Sequence, residues 1–496
     1  MKMKCAASSF MLILIFSGVA AAQSRNFDPF SRQRSRMQTR EPITNRSEQL
    51  KNEANQAYER RDYQRVISLT DATLAQNSRD HVAYYLRASA RCDLGSQMHD
   101  KEMVRNGIGD SREALRYGGG RNNLYYIPYI YGMVKLAELE DKKAHAETAL
   151  QVADQALGRP SLTTEEKAHL TFQRAGARKF LGQFDEAIAD LDAAIQIDPK
   201  LLSAYLERGE AYMASGKPDK AGENYDKLVA AFPSSAMAYD YRGVFLQQQG
   251  KFDEAIADFN RAMQFDPKYH SAYINRGFTL MEKGQPVQAE ADFNQALKIV
   301  PNEPMVYTLR GGSRLSQGKA VEAVADQQQA VQLLPEAAPA HADLGFALYF
   351  AGRNSDALAS LEKAQSLDPA MRSLDAWRFV LLSLLGRNED AKKLTAASVA
   401  KEAKDREWID QLLAFQGGAI GDEELLKVVS NADPEGAEAQ VCEAHFYIGM
   451  QKKLSGDAAG ADAHFQKALE THADRLSAYR GAQFALKKFT TASKAP

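Results

Sequence analysis

The chain has 496 residues, 45% hydrophobic and 25% charged, a globular composition with ample apolar surface to bury. A formal net charge of −2 leaves no basic footprint of the kind nucleic acid requires, so no nucleic-acid partner is expected. The three cysteines are too widely spaced for a disulfide framework or a metal motif.

Residues 1–22 read as a secretory signal peptide. Lys2 and Lys4 precede an apolar run from Phe10 to Val19, and Ala20, Ala21 and Ala22 supply a small-residue cleavage site before Gln23. The protein is therefore expected to be exported, periplasmic or extracellular. The rival reading is an uncleaved membrane anchor, because no charged residue stands between Cys5 and Ser24. Cys5 precedes the apolar run, whereas a lipoprotein signal needs its Cys just after it, so no lipid anchor is expected. Residues 23–46 set six Arg against two acids, with two Pro, and read as a disordered basic linker. Attachment to an anionic surface is the sharper alternative, which leaves membrane association open.

Residues 47–163 carry helical periodicity in divergent units. Ser47–Asp80 makes one block, with Ala54 and Val66 at small and apolar positions. In the next two, Ala88 to Ala114 spans 26 residues and Pro128 to Ala156 spans 28. The corresponding distance further along, Gly243 to Ala262, is 19, so both blocks are expected to carry inserted loops. Loops on a regular scaffold are natural sites for specific contacts. Within this region Tyr125, Tyr126, Tyr129 and Tyr131 crowd one stretch, which reads as helix packing with a binding surface as the alternative.

From residue 164 to residue 369 a strict period appears. Proline stands at 199, 233, 267, 301, 335 and 369, and glycine at 182, 216, 250, 284, 318 and 352, every step 34. A second glycine ladder runs through 209, 243, 277, 311 and 345. One unit shows Tyr239, Gly243, Gly250, Ala255, Phe259, Ala262 and Pro267. On these residues the chain resembles the tetratricopeptide repeat (TPR) family, whose period is 34 residues. The fold class expected is all-α, a superhelical solenoid of stacked helix hairpins, with six regular repeats over 164–369. With Ala236 as position 1, positions 4, 8 and 11 form one stripe of the first helix and 20, 24 and 27 one stripe of the second. The Gly at position 15 ends the first helix and the Pro at position 32 ends the second.

Position 7 is Arg in five consecutive repeats: Arg174, Arg208, Arg242, Arg276 and Arg310. Position 23 of the same repeats reads Asp190, Asn224, Asp258, Asp292 and Asp326. Where position 7 is apolar the acid is absent, as with Leu344 and Ser360, or Ile127 and Val152. The divergent second unit has both, Arg87 and Asp110, and Arg378 opposite Leu394 breaks the rule. These side chains are expected to form structural ion pairs between the two helices of a hairpin.

Positions 2, 5, 9 and 12 form a second stripe on the first helix. By resemblance to the family this stripe lines a concave groove for extended or helical peptides. In the earlier repeats it holds Phe172, Leu206, Met213, Met237 and Val244. In the later ones it holds Ile274, Phe278, Met281, Met305, Phe346 and Tyr349. Apolar and Met-rich content suits an adaptable peptide groove, although several of these side chains can instead pack between neighbouring repeats. Asn275 stands without the lysines of the carboxylate clamp found in chaperone-binding members.

Residues 370–490 are a degenerate helical region. The stretch from Trp408 through QLLAFQGGAIGDEELLKVV to EAHFYIGMQKKLSGDAAGADAHFQKAL, ending at Leu469, resembles the closing part of periplasmic TPR proteins of the NlpI type. That resemblance implies an envelope adaptor, although those relatives are lipid-anchored. No catalytic set, metal spacing, phosphate loop or cofactor motif is found, and the nine His are scattered. A non-enzymatic scaffold with protein or peptide partners in the cell envelope is the function expected. The alternatives are a membrane-tethered assembly factor and an enzyme using Cys442 with His445 or His464.

Overall fold

The computed structural model describes residues 46–119, 122–430, 434–473 and 476–487. The signal segment 1–22 and the basic linker up to residue 45 lie outside the described residues. The chain divides into two compact units, residues 22–245 and residues 246–496. Every described element of regular structure is helical, and among the described residues no helix is long and apolar enough to cross a membrane.

The first unit contains α1 (Arg46–Glu59), α2 (Tyr63–Gln76), α3 (His81–Met98), α4 (Lys101–Tyr117), α5 (Tyr126–Glu140) and α6 (Lys143–Leu157). It continues with α7 (Thr164–Phe180), α8 (Phe184–Ile197), α9 (Leu202–Ala214), α10 (Pro218–Ala231) and α11 (Ala236–Gln248), which holds the point of division. The second unit contains α12 (Phe252–Phe265), α13 (His270–Glu282), α14 (Pro286–Ile299), α15 (Pro304–Ser316), α16 (Ala320–Leu333), α17 (Ala338–Phe350) and α18 (Asn354–Leu367). Its last part is α19 (Leu374–Leu384), α20 (Asn388–Ala400), α21 (Trp408–Gln416), α22 (Asp422–Ser430), α23 (Pro434–Leu454), α24 (Ala458–Glu470) and α25 (Ser477–Leu486).

Local chemistry sets the helix ends. Asp62, Asp80 and Asp100 cap α2, α3 and α4 by accepting a backbone N–H three residues on, and Thr163 with Glu166 forms a capping box on α7. The position-15 glycines between the paired helices, from Gly182 to Gly352, stand at φ between 68° and 78°, where a side chain would be strained. Each regular second helix stops two residues before its proline, as α8 does at Ile197 before Pro199. The freed proline carbonyl accepts from the position-4 side chain of the next helix: Tyr205 to Pro199, Tyr273 to Pro267 and Tyr307 to Pro301, at 3.4, 3.4 and 3.0 Å.

Packing follows the two stripes. The absent side chain at position 8 makes room for the bulky residue at position 24. A Cβ on Gly209 would lie 2.4 Å from the ring of Tyr225, and one on Gly277 2.7 Å from Phe293. Within each unit, odd-numbered helices touch the next odd-numbered helix, as α5 does α7 and α15 does α17, while even-numbered helices make no comparable contact with one another. The first helices of the hairpins therefore form an inner layer and the second helices an outer one.

The expected inserted loops are not there. α3 and α4 have 18 and 17 residues, against 13 and 14 in α9 and α10, and only His99 and Asp100 join them. α5 and α6 have 15 residues each, joined by Asp141 and Lys142. In α3–α4 the extra residues lengthen both members: about seven residues make two helical turns, so one turn added to each antiparallel partner keeps their ends level. α5 and α6 exceed α9 and α10 by only two and one residues, and Pro128, from which the spacing of 28 is measured, stands in the first turn of α5.

Candidate functional site

The position-7 arginines form a ladder. Arg174 on α7 donates from Nε and Nη2 to both carboxylate oxygens of Asp190 on α8, at 2.9 and 2.6 Å. Its Nη1 reaches back to Asp154 on the preceding α6 at 2.8 Å. Arg276 makes the same fork on Asp292 at 2.8 and 2.5 Å and holds Asn260 of α12. Arg310 holds Asp326 with Nη2 at 2.6 Å and Asn294 of α14 with Nη1 at 2.7 Å. Arg208 replaces the acid with Asn224 at 2.7 Å and keeps the backward contact, to Asp192 at 2.5 Å. Arg242 reaches back to Asp226 on α10 at 2.9 Å, and Asp258 is buried on α12. Arg87 already does this in the divergent region, between Asp71 and Asp110 at 2.6 Å each. Arg87, Arg174, Arg208, Arg276 and Arg310 thus each pin their own hairpin and also staple it to the one before.

The exceptions are equally informative. With Leu344 at position 7, Ser360 turns its hydroxyl to the carbonyl of His341 at 2.8 Å, as Asn224 does to Tyr205. Arg378 has Leu394 in place of an acid at position 23 of α20 and keeps contacts with Asp375 at 2.8 Å and with Gln365 on the preceding α18. Asp190 holds the Arg174 guanidinium above its ordinary range. These groups are occupied by one another, which makes the ladder a structural device.

The groove stripe splits three ways. Phe172, Leu206 and Ile274 are buried between neighbouring helices. Met213, Met237 and Val244 in the first unit, and Phe278, Met281 and Met305 in the second, are half-buried: their stems pack while part of each surface meets solvent. Phe346 and Tyr349 are half-buried as well, but with aromatic neighbours. They pack edge-on against Trp377 at 5.4 and 5.2 Å between ring centroids, and the Tyr349 hydroxyl points to Met450 Sδ at 3.7 Å. Burial pushes that phenol up to about 12. The inner helices α17, α19, α23 and α25 come together there, and their aromatic rings pack on one another while Phe346, Tyr349, Phe350 and Phe484 keep part of their surface exposed.

On the same layer of the first unit lies a charged cluster that hydrophobic periodicity could not reveal. Lys179, at position 12 of its repeat, meets Glu207 and Glu210 on α9, the latter at 2.7 Å. Burial works against its charge, yet the two glutamates hold it above the ordinary lysine range. The inner layer of the first unit is therefore mixed in polarity, whereas that of the second is apolar around Phe278, Met281 and Met305.

The other singled-out residues pack. Tyr125, just before α5, is buried with its hydroxyl 2.5 Å from His81 Nδ1, and Tyr129 is buried in the first turn of α5. Cys442 is fully buried and burial raises its thiol to about 12, so it stays protonated at neutral pH. His445 and His464 face each other Nδ1 to Nδ1 at 3.0 Å, and burial with the second imidazole lowers His445 to about 4. Among the described residues no group of three or more metal-ligating side chains converges.

Three family models match the chain. Two described as tetratricopeptide repeat cover residues 206–270 and 246–311, and one described as TPR repeat covers 180–216. No curated protein matches. Among solved structures, the crystal structure of MamA protein is 25% identical with a TM-score of 0.30, over 34% of this chain and 92% of that chain. PilF of Pseudomonas aeruginosa is 21% identical with a TM-score of 0.37, over 42% and 94%. YrrB, described as a TPR protein with an unusual peptide-binding site, is 21% identical with a TM-score of 0.31, over 36% and 92%.

Proposed function

We propose that this chain, a tetratricopeptide-repeat protein, is an exported, non-enzymatic adaptor that holds a protein or peptide partner on the inner faces of its hairpins. The repeats themselves indicate a protein or peptide partner. The observation that carries the finer reading is the half-buried apolar row on the inner layer, with Phe278, Met281 and Met305 in the second unit. These three side chains pack against the buried cluster of Ile274, Leu280 and Phe293 and keep part of their surface in water. An apolar surface held where water reaches it suits a partner's apolar side chains. The methionines add adaptability, since an unbranched thioether fills irregular gaps. Export rests on the signal-type segment 1–22 alone, and it makes envelope proteins the expected partners.

The test is capture from envelope extract with wild-type protein and with Phe278→Glu/Met281→Glu. The variant is expected to keep its melting temperature and lose the captured protein. Equal capture by both baits would sink the groove. N-terminal sequencing of the fractionated protein tests export separately: a mature start at Gln23 supports it, and an uncleaved membrane-bound chain supports the tethered alternative.

A further inference from the structure

The inner layer of the second unit already holds a helix. α25 packs most extensively on the preceding α24, also touches α23 and α17, and reaches Trp377 of α19 through Ser477. Ser477 Oγ accepts from Trp377 Nε1 at 2.9 Å. Arg480 lies against α15, its Nη2 3.9 Å from where a Cβ on Gly312 would stand, and it faces Asp343 on α17. Gly481 sits so close to Phe446 and Trp377 that a Cβ would lie 2.4 and 3.1 Å from them. Phe484 stacks on Phe350 of α17 at 4.4 Å with the rings 14° apart. These four residues are i, i+3, i+4 and i+7, the anchor spacing of a helix laid into a groove.

The seat continues the candidate groove. Phe278, Gly312 and Phe346 occupy position 9 of three successive repeats, so the row runs from α13 into the place α25 fills. α25 itself is weakly built. It has 10 residues, below the about 12–15 that an isolated helix needs, with a glycine in its interior. Its helical form therefore depends on the seat.

We propose that the inner face of α15, α17 and α19, closed by Phe446 of α23, is a helix-binding seat that α25 occupies in competition with a partner. The partner it fits is a short helix with a small polar residue, then Arg followed by a small residue, then Phe, at the spacing of Ser477, Arg480, Gly481 and Phe484. This rests on the reading of the inner layer as the binding face and adds a regulator to it: apparent affinity falls by the fraction of molecules in which α25 is seated.

The test uses the full chain and a fluorescein-labelled peptide of residues 476–487, followed by anisotropy. Gly481→Leu forces α25 out by overfilling the contact with Phe446, and Phe484→Ser weakens its hold without touching the seat. Both variants are expected to bind the peptide at least tenfold more tightly than wild type. Adding Phe350→Ala, or using a peptide with Phe484→Ala, is expected to remove that gain. Folded variants that bind no more tightly than wild type would overturn the proposal. So would collapse of the whole second unit in both variants, because α25 would then be core and not an occupant. Neither result touches the capture experiment with Phe278→Glu/Met281→Glu, so the groove and its regulator stand or fall separately.

Discussion

Asp326 accepts from Arg310 and also from Arg314, whose Nη1 lies 2.8 Å away, while its own side chain is 3% exposed. Asp326→Leu would strand two guanidinium groups and is expected to cost about 3 kcal/mol, the low end for a broken buried pair because the arginines keep some solvent. Denaturant melts of Asp326→Leu and of Asp326→Leu/Arg310→Leu check this: the double variant should be less destabilised than the sum of the singles. Asp343 behaves in the opposite sense. Burial raises its carboxyl from 3.8 to about 6, with Arg480 opposing part of the shift. An acid whose folded value lies above its unfolded one favours folding while protonated, and that contribution is lost as pH rises from 3.8 through about 6. Asp343→Asn is therefore expected to melt higher than wild type at pH 7 and to lose the difference near pH 4. Identical profiles across that window would mean the carboxylate is not buried against charge. The within-hairpin half of the arginine ladder was legible because positions 7 and 23 vary together along one sequence. The backward half uses position 25 of the preceding repeat, where Asp192, Asp226, Asn260 and Asn294 stand 34 apart; that polar ladder is present in the sequence, but only the structure shows it reaching the arginine of the next repeat.

At the scale of the element, glycine marks two different demands. Gly209 is a contact: Gly209→Val must displace the Tyr225 ring between α9 and α10, and is expected to cost about 1–3 kcal/mol by overpacking. Gly176, one register position further along α7, has nothing within 4 Å of an added Cβ. Gly176→Ala is expected to stabilise by up to about 1 kcal/mol through helix propensity alone. Thermal melts of the two variants should move in opposite directions, and a shared sign would refute the register assigned to the first helix. The helix count and the caps were readable from glycine and proline punctuation. The lengthened pair α3–α4 was not, because a spacing of 26 between Ala88 and Ala114 fits a longer loop as well as two longer helices. Antiparallel pairing decides between them: added turns continue to bury the apolar face, which an added loop would not.

On the scale of the whole molecule, identical register does not give identical neighbours, even where both residues are half-buried. Phe278 and Phe346 share position 9, yet Phe278 is expected to tolerate Glu while Phe346→Glu should melt the second unit, having put a charge beside Trp377. Melting curves of the two single variants separate these cases. The sequence by itself determined the repeat, the hairpin, its caps and its inner and outer stripes, because these are relations between residues a few positions or one period apart. Only the tertiary structure decided that an arginine such as Arg276 binds two hairpins, that α3 and α4 are the lengthened pair, and that the late part of the inner layer is covered by α25, the last described helix. Tyr349 and Met450, which meet inside that closure, are 101 residues apart. Their meeting depends on small rotations accumulated over successive hairpins, and no local pattern of side chains records that sum.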